Sequence, residues 1–147
     1  MESIIQELSS NYKLDNYSVK ADKIVFEISN IKKVISCPYC GVDAHRIHSY
    51  YQREIQDLPI QNKKTILLVT TRKFFCDNKQ CNKKTFSEQH TFVESNRKKT
   101  KRLEKNILFT SAQLSSINAS KILKTNRIDV SKSTICEMLK KNATDCG

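Results

Sequence analysis

Two close pairs of cysteines, an alternating apolar run that delivers the chain to the second pair, and a late switch to helical spacing in basic sequence predict an α+β chain. The expected architecture is a small antiparallel β domain closed by a metal over residues 1–90, followed by a small helical domain over residues 91–147. With 147 residues, 38% of them apolar and no Trp, one large core is not expected. Two small cores are, one of them held by the metal.

The cysteines stand in Cys37-Pro38-Tyr39-Cys40-Gly41 and Cys76-Asp77-Asn78-Lys79-Gln80-Cys81, a C-x2-C and a C-x4-C pair with 35 residues between them. Cys37, Cys40, Cys76 and Cys81 are what a closed tetrahedral Zn²⁺ site takes, and such a site is structural because no position stays open for water. Each pair has to turn tightly to aim both sulfurs at one point. Pro38 and Gly41 suit the first turn through a fixed φ and a tolerated positive φ; Asp77 and Asn78 favour the second. Residues 1–10 show no basic leader with an apolar run, and no stretch reaches the ~20 apolar residues of a membrane span. The expectation is a cytoplasmic chain whose reduced thiols favour metal over disulfides, with Cys136 and Cys146 as unbridged thiols.

Along the chain, Ile4, Ile5 and Leu8 have a short helix-like spacing. Ile24, Phe26 and Ile28 alternate with Val25, Glu27 and Ser29 as in a half-buried strand, Ser29-Asn30 turns, and Ile31–Ile35 leads into the first knuckle, making an antiparallel pair that enters the metal site. His45 and His48 are expected on exposed strand, since four cysteines already fill a tetrahedron. Pro59 cannot donate to a ladder, which puts residues 57–60 at an edge or turn, followed by a polar loop at Asn62-Lys63-Lys64. Thr65–Phe75 is the strongest strand: its first half is apolar on both faces and belongs in the middle of a sheet. Thr85-Phe86 closes the unit, which reads as zinc-ribbon-like with a long insert between knuckles. Ser87–Asn96 reads as a polar connector.

The remainder is helical. Leu103, Ile107 and Leu108 define a first helix, and Ala119, Ile122 and Leu123 a second, capped by Ser115 or Ser116 and running to Lys124. A turn at residues 126–129 precedes Ser131, which sits where an N-cap belongs, and Ile135, Met138 and Leu139 mark the buried stripe of a third. Three short helices, the last two joined by a tight turn, match a helix-turn-helix, whose final helix enters the major groove N-terminus first.

Charge supports a polyanionic partner. The net charge is +11, and residues 96–147 carry 12 basic against 4 acidic side chains. Clustered Lys and Arg gain affinity for phosphate backbones by releasing counterions. Five of the six residues from Arg97 to Arg102 are cationic at a helix start, where the helix dipole disfavours cations. Double-stranded DNA is the expected partner: Arg97, Lys98, Lys99, Lys101 and Arg102 would grip phosphates, and Ser133, Thr134 and Glu137 would face base edges, with Lys132 contacting DNA from the first turn of the same helix. A zinc-dependent protein-interaction or oligomerisation adapter is the competing reading. It requires an exposed apolar patch and no salt-dependent DNA affinity.

Taken in order, Cys37-Pro38-Tyr39-Cys40-Gly41, His48, Tyr51, Asp57-Leu58-Pro59, Arg72-Lys73-Phe74-Phe75-Cys76, Cys81 and Thr85-Phe86-Ser87-Glu88 resemble the N-terminal zinc-binding region of bacterial insertion-sequence transposases of the ISL-three group. Val130-Ser131-Lys132-Ser133-Thr134-Ile135 looks like the helix-turn-helix that follows it there. The resemblance implies the DNA-binding part of a transposase that recognises the terminal inverted repeats of a mobile element, partnered by DNA and by itself or an intact transposase. Members of that group continue into an RNase H-like domain whose acidic triad binds Mg²⁺. Glu104, Asp129, Glu137 and Asp145 make no such arrangement, so a truncated, non-enzymatic chain is expected.

Overall fold

The computed structural model describes residues 5–6, 9–113, 116–125, 128 and 130–146. Its strands are β1 (Tyr12–Val19), β2 (Lys23–Asn30), β3 (Ile35–Ser36), β4 (Asp43–Ala44), β5 (Ile47–Ile60), β6 (Lys63–Phe75) and β7 (Thr85–Ser87). The helices are α1 (Lys101–Gln113), α2 (Ser116–Thr125) and α3 (Lys132–Cys146). The fold is α+β, as the sequence predicts.

The main sheet runs β1-β2-β6-β5, with β7 on the far end of β6. β6 is central because Thr65, Leu67, Val69 and Thr71 all turn a buried side chain to one face, where they meet Ile24, Phe26 and Ile28 of β2 and Ile55 of β5. The sheet is mostly antiparallel but not wholly: β2 lies parallel to β6, pairing Ile24 with Thr65 and Ile28 with Val69. The expected antiparallel entry into the metal site is therefore corrected. β2 pairs with β1 instead, and the first knuckle is entered by the two-residue β3–β4 ladder. Strand β2 also runs through Asn30, where the sequence predicts a turn.

β5 forms the edge, and its ladder to β6 breaks register between Asp57 and Ile60, which accommodates Pro59. The expected loop at residues 62–64 is shorter than that. Gln61 and Asn62, both at positive φ (50° and 60°), make a two-residue turn whose twist suits a hairpin, and Lys63 and Lys64 already belong to β6.

The connector after β7 is not simply polar. Phe92 and Val93 enter the main core beside Tyr12, and Glu88 and His90 are buried as well. The helices close a second core of Leu103, Ile107, Ala119, Leu123, Ile128, Ile135 and Met138, against which Leu108 and Leu139 pack. Ile122, expected inward, is 43% exposed: on a ten-residue helix the stripe is narrow, and Ala119 and Leu123 fill it. A cap at Ser115 and most of the turn at 126–129 lie outside the described residues; Ile128 is buried. The helix-like reading at residues 4–8 falls on described residues only at Ile5 and Gln6, which are helical.

Candidate functional site

The two knuckles meet at the end of the β5–β6 hairpin. In the first, Gly41 at φ 78° donates its amide to the Cys37 carbonyl at 2.8 Å, and the Cys37 amide donates to the Val42 carbonyl at 2.9 Å. In the second, the Cys81 amide donates to the Asn78 carbonyl at 3.0 Å, while the Asn78 side chain accepts from the Gln80 amide at 3.1 Å. These turns bring the four sulfurs within 4.8 Å of one another. Opposed pairs stand 4.0 Å (Cys37–Cys81) and 3.6 Å (Cys40–Cys76) apart. A regular tetrahedron with Zn–S arms of about 2.3 Å has edges of about 3.8 Å, so the cage fits zinc. The Val42 backbone, followed by the Asn78 side chain, holds the Cys40 thiol down at about 6, whereas, against the Asn78 backbone, burial and the neighbouring sulfurs push Cys76 up to about 12, and Cys81 is raised as well. Crowded thiols do not all ionise without a cation to offset their charge.

Stacked Phe74 and Phe86, 5.7 Å apart, floor the cage together with Ala44. His45 and His48 are exposed and outside the ligand group. The His48 ring lies edge-on to Phe75 at 5.0 Å, and the Arg46 guanidinium covers the same ring at 4.7 Å while pairing with Asp77. Arg46 holds the Asp77 carboxyl below the usual carboxylate range.

At the opposite end of the hairpin, the β unit is bolted to the helices. The buried Asp57 carboxylate accepts from Thr100 Oγ1 at 2.7 Å, from Arg102 Nε at 2.8 Å and from Arg102 Nη2. Thr100 is also the N-cap of α1, its hydroxyl accepting from the Leu103 amide at 3.3 Å. Backbone bonds from the Gln56 amide to the Lys98 carbonyl (2.8 Å) and from the Thr100 amide to the Gln56 carbonyl (2.9 Å) complete the joint, and Leu58 packs into the helical core. Sequence reasoning misses the role of Asp57. The signal is present: a lone acid among apolar residues at a strand end needs a buried partner.

The basic run is consequently divided. Lys98 is exposed, and Arg97 and Lys99 are half-buried. Lys101 stands 4.0 Å from Glu94, and Arg102, expected to grip phosphate, directs its guanidinium to Asp57. On α3, the Thr134 amide donates to Ser131 Oγ at 3.2 Å, the expected cap, and the two hydroxyls lie 2.9 Å apart. Lys132, Ser133 and Glu137 are exposed, whereas Ile135 and Met138 face the core.

A closed cage of four thiolates defines the first unit as a structural zinc module. Residues 33–81, which contain all four cysteines, match the family model of the zinc-finger of transposase IS204/IS1001/IS1096/IS1165. No curated protein and no solved structure matches the chain. Among the described residues, the cysteines are the one group of metal-binding side chains brought together, and no helix is long and apolar enough to cross a membrane.

Proposed function

We propose that this chain is a DNA-binding part of a transposase and recognises the terminal inverted repeats of a mobile element. The observation that carries the reading is the transposase zinc finger at residues 33–81, joined by the Asp57 clamp to a helical trio whose last helix is capped by Ser131 and presents Lys132, Ser133 and Glu137 outward. In this reading α2 and α3 are the helix-turn-helix, α3 enters the major groove by its N-terminus, and Arg97, Lys98, Lys99 and Lys101 meet phosphates. Arg102 serves instead by holding the helices to the sheet. Thr134, tied to Ser131, contributes to the cap as well as standing near the bases.

The test is binding to random and repeat-end duplexes at two salt concentrations. Replacing Lys98 and Lys99 by Ala should weaken binding to all sequences alike and flatten the salt dependence by about one unit of slope for each phosphate left unneutralised. Changing Ser133 or Glu137 should alter sequence preference instead, by about 1–3 kcal/mol for each base-edge hydrogen-bond pair removed. The opposite pattern would show that the reading helix is misplaced.

A further inference from the structure

The second knuckle carries a cationic surface that the helices do not account for. Lys79, Lys83 and Lys84 are exposed and line one shallow hollow of about 340 Å³ with Cys76, Asp77, Asn78 and Cys81. None of the three pairs with a carboxylate among the described residues, and the one acid in the hollow, Asp77, is already neutralised by Arg46. Lys83 lies 5.7 Å from the centre of the Tyr39 ring, which is 62% exposed on the first knuckle. The lysines offset part of the double negative charge of a zinc tetrathiolate, yet all three stand in solvent.

The hairpin sets the distance from this surface to the helices. Asp57 pairs with Thr65 at the clamped end of β6, and eleven residues later the strand has delivered Cys76. At about 3.3 Å per residue that span is about 36 Å, close to one turn of B-DNA, which is about 34–36 Å or about 10 base pairs. Lys99, which bridges to Gln56 at the joint, lines one hollow with Ser131 at the start of α3, so the N-terminus of α3 adjoins the clamped end of this span.

We infer that Lys79, Lys83 and Lys84 form a second phosphate-binding surface for duplex DNA, placed about one helical turn from the groove entered by α3 and on the same face of the duplex. The inference rests on the proposed DNA reading. It adds a backbone contact that widens the site without reading further bases.

Hydroxyl-radical footprinting of the zinc-loaded full chain, on a duplex that it selects from a random pool, tests this. Two protected backbone patches about 10 base pairs apart on one face are expected. A Lys79→Gln, Lys83→Gln, Lys84→Gln variant should lose the patch remote from the α3 site, lower the salt slope by about 2–3, and leave sequence preference and zinc content unchanged. A single patch, with the variant's slope equal to wild type, overturns the inference while the helix reading stands. Failure to select any duplex at low salt overturns both. Should the variant lose zinc, the wild-type footprint decides by itself, since one patch or a different spacing refutes the surface.

Discussion

His90 shows how a residue that sequence alone passes over becomes a keystone. Its Nδ1 meets the Tyr12 hydroxyl, its Nε2 lies 2.9 Å from Thr71 Oγ1, and its ring stacks on Phe92 at 5.6 Å. Burial pushes the Tyr12 hydroxyl well above its ordinary pKa, so it stays protonated and able to donate. Burial, followed by the Arg53 and Arg72 charges, lowers the His90 pKa to about 4. The unfolded imidazole, at about 6.5, takes up a proton before the folded one does. The resulting stability is therefore complete above about pH 6.5 and is lost as pH falls towards 4, by roughly 3 kcal/mol. Denaturant midpoints for wild type and His90→Gln should keep a constant gap above about pH 6.5 and converge between about pH 6.5 and 4; a gap that stays constant down to about pH 4 would assign the acid sensitivity elsewhere. Glu88 is a second such residue, its buried carboxylate accepting from Arg72 Nη2 at 2.9 Å and from the Arg72 amide at 3.0 Å. Neither is legible, because a polar connector and a buried polar network have the same composition.

Elements whose burial alternates are legible in the sequence, and those whose burial does not are missed. β2 buries Ile24, Phe26 and Ile28 in strict alternation, and its period announces it. β1 leaves six of its eight positions exposed, so no period survives in its sequence, and residues 1–16 give no sign of a strand. The cysteine cage is readable because each half carries a short local spacing, although the halves meet across 36 and 44 residues; the clamp spans a similar 43 with no local pattern to announce it. At this scale the prediction concerns Asp57. Asp57→Ala leaves Arg102 and the Thr100 hydroxyl without their acceptor and should cost about 2–3 kcal/mol. α1 should fray from its N-terminus, seen as faster amide exchange at Leu103 and Glu104, with zinc content unchanged. Wild-type exchange at those amides would remove Asp57 from the joint.

Across the whole molecule, the described residues form three cores along one hairpin where the sequence predicts two: the cage floor at one end, the sheet core at its middle and the helical core beyond Asp57. Only the first contains the metal-ligand cysteines. A structural zinc site supplies on the order of 10–16 kcal/mol of apparent binding energy, so chelation, or Cys76→Ser, should release Phe74 and Phe86. Protection at Phe26, Leu67 and Ile107 should persist; simultaneous loss of all three would mean the cores are one cooperative unit. The parallel pairing of β2 with β6 sets the order of events during synthesis. Ile24 waits for Thr65, 41 residues later, before its side of the sheet can close, and a contact of that separation forms slowly. The β5–β6 hairpin can form locally as soon as it leaves the ribosome. Until it does, β2 has only β1 to pair with, and Phe26 and Ile28 lack the Leu67 and Val69 that cover them, which leaves an apolar strand face open on the nascent chain.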